Sequence, residues 1–95
     1  MLSIKLTQVC SDKSEFLAET QTRENIDLEK ASYNAKKSPL FENVTFLRNT
    51  GVLRLKVSGK SVLLFGNGRI TVNCVEGLQE ASLVLYSMMK SLELL

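Results

Sequence analysis

Seven side chains around one predicted hairpin combine positive charge, hydrogen-bonding groups and apolar groups. Arginine and lysine contact phosphates or acidic side chains, whereas leucine and phenylalanine insert between base steps or pack on an apolar partner. Together these residue types favour a surface that recognises a partner over a catalytic site. The seven candidates are Arg54, Lys56, Leu63, Phe65, Arg69, Thr71 and Asn73.

The residues that usually carry catalysis are scarce in this chain. It has no histidine, so the commonest general base and metal ligand are missing. Cys10 and Cys74 are too far apart for a CxxC motif; we expect buried thiols, and a disulfide between them is the alternative. The Gly66-Asn67-Gly68 segment lacks the pattern of a phosphate-binding loop. We therefore expect no enzymatic activity, no catalytic residue, no metal site and no cofactor.

Charge is unevenly distributed along the chain. The net charge is only +2, but residues 30–69 contain eight basic residues and one acid, Glu42. That segment therefore carries +7 and the rest of the chain −5. Such a segregated field attracts phosphate or an acidic protein surface. The alternative is that these cations only solvate the open face of a sheet.

Length and composition indicate one small domain over residues 1–95. A hydrophobic fraction of 44% is typical of a globular protein. The chain lacks an apolar run of the roughly 20 residues that a membrane span needs, and residues 1–5 alternate in polarity, unlike a signal peptide. We expect a cytoplasmic protein without a membrane partner.

The clearest structural signal is a hairpin within residues 58–76. Two strands, Ser61–Phe65 and Arg69–Val75, flank Gly66-Asn67-Gly68, whose residues readily take the positive φ angles of a primed hairpin turn. Alternating residues also predict strands at 3–10, at 15–22 as a hairpin partner of the first, and at 51–58. Residues 40–48 are ambiguous, with a turn near Phe41 and a strand at 44–48.

Two helices are predicted, at about 26–37 and 77–94. The first has Asn25 as its expected N-cap and a small apolar face at Leu28, Ala31 and Ala35. The second has apolar residues at helical spacing, which predict one broad buried face. We expect an α+β fold, in which a curved antiparallel sheet of five or six strands carries two helices on one face. The buried stripe of the second helix is Leu78, Ala81, Leu85, Met88 and Leu92, widened by Val84 and Met89.

Residues 26–93 resemble one repeat of a TATA-box-binding protein. The likeness rests on the order of the elements and on residues 26–28, 51–56 and above all 63–72, which read LLFGNGRITV. It implies a curved sheet whose concave face grips the DNA minor groove. The family has two repeats where this chain has one, so a saddle would need two chains. The chain also departs at Asn49-Thr50, where the family has a phenylalanine, and at Glu19 and Glu24, where acids are unsuited to DNA.

Alternation assigns the two faces of the sheet without the resemblance. If the last helix covers Val62, Leu64, Ile70, Val72 and Cys74, the opposite face carries Leu63 and Phe65 with nothing assigned to cover them. The first hypothesis for that face is a homodimer or a protein partner, and Phe65→Asp would then give a monomer or an unfolded chain. The alternative is DNA or RNA.

Overall fold

The computed structural model describes residues 3–8 and 16–92, which form one antiparallel sheet and two helices. The six strands lie in the order β1-β2-β6-β5-β4-β3. The predicted α+β fold, with a six-stranded antiparallel sheet and two helices, is confirmed. The elements are β1 (Ile4–Gln8), β2 (Phe16–Gln21), α1 (Leu28–Lys37), β3 (Phe41–Leu47), β4 (Val52–Val57), β5 (Lys60–Phe65), β6 (Arg69–Val75) and α2 (Leu78–Ser91).

Both helices pack on the same face of the sheet. Helix α1 lies against β3 and β4, and α2 lies against β6 and β1. Alternate residues of the central strands point into this layer, and their complete burial from water supplies the main driving force for folding. The completely buried residues of the sheet are Ala18, Leu53, Val62, Leu64, Ile70, Val72 and Val75.

The strands agree with the alternation in the sequence, with one change. Strand β2 pairs antiparallel with β1, as predicted, and β4 buries Leu53, Leu55 and Val57. The ambiguous segment 40–48 forms β3 from Phe41 onwards, three residues before the predicted start of the strand at 44, and the predicted turn lies just before it, at residues 39–40. An irregularity in the pairing of β3 with β4 between Phe41 and Val44 interrupts the alternation and explains the ambiguity.

The start of α1 corrects the predicted N-cap. The side chain of Asp27, not Asn25, accepts a hydrogen bond of 3.2 Å from the backbone N–H of Lys30. Ile26, the predicted start of the helix, is buried in the core and precedes the helix, which begins at Leu28. The predicted apolar face of α1 is confirmed, since Leu28, Ala31 and Ala35 are buried.

Helix α2 also departs from its predicted stripe. Leu78 is 55% exposed, whereas Ala81, Val84, Leu85, Met88, Met89 and Leu92 are buried. Leu78 is the first residue of the helix. The helix ends at Ser91, and residues 93–95, which the prediction included in part, lie outside the described residues.

A bulge in β6 overturns the predicted burial of Cys74. Phe16 pairs with Val75 but Ala18 pairs with Val72, so Asn73 and Cys74 together lie opposite Leu17. Cys74 has a φ of 63° and is exposed, and Val75 takes the buried position. Cys10 lies outside the described residues.

The turn at Gly66-Asn67-Gly68 differs from the predicted primed turn. Among these three residues only Gly68 has a left-handed φ, of 96°, and its N–H donates to Phe65 O at 3.0 Å. This geometry is typical of a three-residue loop that ends in a glycine bulge. The primed turn lies one hairpin earlier, where Ser58 and Gly59 have φ angles of 51° and 78°.

Segment 21–26 docks on the 66–68 turn. All three carbonyls of the turn accept hydrogen bonds from this segment: Gly66 O from Ile26 N at 3.0 Å, Asn67 O from Gln21 Nε2 at 2.6 Å, and Gly68 O from Thr22 N at 2.9 Å. Unpaired carbonyls at a packed turn would be costly, so these bonds fix the path from β2 to α1.

Lys60 and Glu80 connect the sheet to α2. Lys60 Nζ lies 3.3 Å from Glu80 Oε1 and donates to Cys74 O at 2.9 Å. Glu80 Oε1 also accepts from the backbone N–H of Glu76 at 2.9 Å, just before the helix begins. The Glu76 N–H, followed by Lys60, holds the pKa of Glu80 below the ordinary glutamate value of 4.5.

Glu80→Gln is expected to destabilise the protein at neutral pH by about 0.5–1 kcal/mol, a modest effect because solvent screens this partly exposed carboxylate. The folded protein stabilises the charged carboxylate, and its folded pKa is therefore lowered. The contribution of this carboxylate to the free energy of unfolding is present above the unfolded pKa and is lost as the pH falls through the folded value. Denaturant titrations of both proteins at pH 7 and pH 3 measure it. Glu29→Gln, in an exposed pair with Arg48, is the control and should change stability less at pH 7. An equal difference between parent and E80Q at both pH values would contradict this account.

Candidate interaction surface

The helix-free face of the sheet holds all seven candidate residues. On β5 and β6, Val62, Leu64, Ile70 and Val72 are fully buried beneath the helices, and the intervening side chains point the other way. None of the described residues forms a helix over this second face. We call it the open face. The structure therefore confirms the predicted assignment of the two faces, except for Cys74.

The strand register brings the candidates from separate strands into neighbouring rows. One row crosses all six strands at right angles to them, with neighbouring positions about 4.8 Å apart. It places a leucine between an arginine and a threonine, with an acid beyond the threonine. In order, its members are Thr45, Arg54, Leu63, Thr71, Glu19 and Lys5.

An apolar strip lies beside this row. Val52 pairs with Phe65 and with Leu47, and Leu63 adjoins them in the next row. Val52, Leu63 and Phe65 are half-buried, and Leu47 is exposed. Segment 40–48 is ambiguous in the sequence, which assigns Leu47 to neither face, and the regular pairing of residues 44–47 with β4 places it on this one. These four residues form a continuous apolar strip, which we call the open-face strip.

Arg69 is already engaged within the molecule. Its Nε lies 2.9 Å from Glu19 Oε2, and its guanidinium carbon lies 5.6 Å from the centre of the Phe65 ring. Both contacts favour a fixed position, the second as a cation–π interaction. Arg69 is therefore a weaker candidate for binding phosphate than its sequence position indicates, since a carboxylate already neutralises it.

Arg54 and Lys56 remain as the cations at the centre of a polar groove. The groove has a volume of about 300 Å³, and no acidic side chain lines it. Neither cation forms a salt bridge within the described part of the chain. The polar side chains around them are hydrogen-bonding groups of the types that hold anions. They are Asn43, Thr45 and Ser61.

The last two candidates differ in accessibility. Thr71 is only 7% exposed, because the neighbouring open-face residues enclose it, so it contributes little contact area. Asn73 is exposed and lies in the bulge of β6, set apart from the open-face strip. The structure thus brings Arg54, Lys56, Leu63 and Phe65 together, encloses Thr71 between its neighbours and leaves Asn73 at the margin.

The described residues hold no other clear chemical site. In residues 3–8 and 16–92, no group of three or more histidine, cysteine, aspartate or glutamate residues is placed to hold a metal ion. Neither α1 nor α2 has the length and apolarity that crossing a membrane would require. The chain matches no protein-family model, no curated protein and no solved structure.

Proposed function

We propose that this chain is a non-enzymatic interaction module that binds a protein partner through its open face. The observation that carries the proposal is the open-face strip of Leu47, Val52, Leu63 and Phe65, which no described helix covers. Apolar side chains gathered on one surface mark interaction sites in small proteins. The absence of histidine from the chain fits a role in binding, and the sequence predicts a cytoplasmic protein.

Charge indicates the chemistry of the partner. Lys5, Arg54, Lys56 and Arg69 lie on the open face with Glu19 as their counterpart, so basic residues outnumber acidic ones. A second copy of the same face would present the same excess of cations and be repelled. A partner with apolar side chains interspersed with acids complements both the strip and the groove.

An extended peptide with alternating leucine and glutamate is a suitable probe. In NMR titrations of the ¹⁵N-labelled protein, we expect it to shift the amide signals of β4 and β5, and the double variant Arg54→Glu, Lys56→Glu to weaken binding at least tenfold. The matched control is Lys36→Glu, Lys37→Glu, which makes the same charge change on the exposed side of α1. Shifts confined to other elements, or equal binding by both double variants, would contradict the proposal.

DNA binding is the second candidate, and the groove around Arg54 and Lys56 favours it. Cations and hydrogen-bonding side chains beside apolar wedges are what minor-groove recognition requires. The element order α-β-β-β-β-α of residues 26–92 and the open sheet agree with what the resemblance to a TATA-box-binding repeat implies. The Glu19 carboxylate on the same face opposes it, because it repels phosphate.

A short AT-rich duplex distinguishes the two candidates. If Arg54 and Lys56 each neutralise one phosphate, the logarithm of the binding constant should fall with the logarithm of salt concentration with a slope of about −2. A flat salt response, or full binding by the Phe65→Ala, Arg54→Ala double variant, would exclude DNA binding at this face.

A further inference from the structure

The outer side of α2 is a second apolar surface, separate from the open face. Leu83 and Tyr86 are 64% and 42% exposed, although the opposite side of the same helix is buried in the core, and Leu78 in the first turn is 55% exposed. These residues line a shallow groove with Gln79, Ser82 and Ser87, none of which is charged. Large apolar side chains exposed together on one surface mark a candidate interaction site.

The outer residues of α2 follow the spacing of a helix that packs on another helix. Gln79, Leu83, Tyr86 and Lys90 are separated by four, three and four residues, so they share one stripe along the helix. This stripe is opposite Ala81, Leu85, Met88 and Leu92, which face the sheet. Its centre is Leu83, the most exposed of the large apolar residues among those described.

The two ends of α2 carry charges of opposite sign. Between Ala81 and Met89 the helix has no charged side chain. Glu76 lies just before Gly77, the N-cap of the helix, Lys90 lies in its last turn, and both are exposed. Glu80, by contrast, is held by Lys60 and by the N–H of Glu76, so it is not the free acid at this end.

We propose that α2 pairs antiparallel with α2 of a second copy of this chain, about a twofold axis at Leu83. In that arrangement Leu83 meets its symmetry mate, and Lys90 lies against Glu76 of the partner subunit at each end. The antiparallel direction also brings each helix N-terminus near the partner's C-terminus, which favours the pairing of the two dipoles. The dimer forms on the side opposite the open face and leaves that face free, so the inference goes beyond the proposed function and does not depend on it.

The interface is small, so the dimer is weak. Fourteen residues of α2 span about 21 Å. One helix pair of this length buries less area than a stable standard-sized interface, which is about 1,600 Å² in total. We expect a dissociation constant on the order of 0.1 mM.

Sedimentation equilibrium of the full chain, from about 10 µM to 1 mM, tests the dimer. The average mass should rise towards twice that of the monomer, and Leu83→Glu should raise the dissociation constant at least tenfold by burying two unpaired carboxylates at the axis. The control is Tyr33→Glu on α1, which places an acid at an equally exposed apolar residue, 61% against 64%, and should leave the dimer intact. Circular dichroism confirms that each variant is folded.

A charge exchange tests the antiparallel direction. Lys90→Glu should weaken the dimer by placing two acids together at each end, and the double variant Glu76→Lys, Lys90→Glu should restore it by reversing both signs. The proposal is overturned if the parent stays monomeric at about 1 mM, if Leu83→Glu dimerises like the parent, or if the double variant is no better than Lys90→Glu. None of these results bears on peptide binding at the open face.

Discussion

Leu64→Ala is expected to lower the free energy of unfolding by about 3–5 kcal/mol, the largest effect of any substitution considered for this protein. Leu64 is 0% exposed in β5, between its strand partners Leu53 and Ile70, which are also fully buried. Truncation removes the transfer free energy of the lost carbons and leaves a cavity that neighbouring strands cannot close. Because a domain of this size has roughly 5–15 kcal/mol of stability in total, the variant should be close to unfolding. Urea titration followed by circular dichroism measures the loss.

Leu63→Ala is the matched control, one residue earlier on the same strand. The substitution is chemically identical, but Leu63 is half-buried on the open face, so the expected loss is about 1 kcal/mol or less. A large difference between the two variants is therefore the signature of a sheet with helices on one face only. Losses of equal size would mean that the open face is covered in solution, which would remove the basis of the proposed function.

Gly68→Ala is expected to lower the free energy of unfolding by about 2–5 kcal/mol for two independent reasons. Gly68 has a φ of 96°, where an alanine is strained by roughly 1–3 kcal/mol. A β-carbon at this position would also lie only 2.9 Å from both Glu24 O and Gln21 Nε2, and closer still to Thr22 Oγ1. The Gln21 side chain is free to move aside, but Glu24 O belongs to the backbone, so the docked segment 21–26 must shift. The free energy of unfolding in urea is again the measurement.

Gly59→Ala separates the two causes. Gly59 has a similar φ of 78° in a hairpin turn, but no heavy atom lies within 4 Å of the position that a β-carbon would take. We expect Gly59→Ala to lower the free energy of unfolding by about 1 kcal/mol, from backbone strain alone. If both variants lose the same stability, segment 21–26 is not packed on the turn as the structure shows.

Much of the fold follows from local patterns in the sequence. The alternation in 51–58 and 61–75 predicts which residues face the core, since successive side chains of a strand point to opposite faces. The helical spacing after Gly77 likewise predicts the buried side of α2. These predictions hold because a period of two or of 3.6 residues is a property of the local backbone.

The errors occur where the periodicity is interrupted. The bulge in β6 shifts the alternation by one position, so Cys74 is exposed and Val75 is buried. The irregularity between Phe41 and Val44 left the start of β3 ambiguous in the sequence, and only the pairing of β3 with β4 assigns Leu47 to the open-face strip. A bulge is set by pairing with a neighbouring strand, and the residues of that strand are distant in sequence.

By itself the sequence determined two properties of this protein: the separation of the sheet into two faces, and the set of cations and apolar residues on the uncovered one. Both depend on the identities of residues close together along the chain. Only the tertiary structure decided which of those residues act together. It pairs Arg69 with Glu19 across β2 and β6, it brings Leu47 beside Val52, and it directs Leu83 and Tyr86 of α2 away from the core. The physical reason is that each of these arrangements is set by the register and packing of elements brought together only when the chain folds.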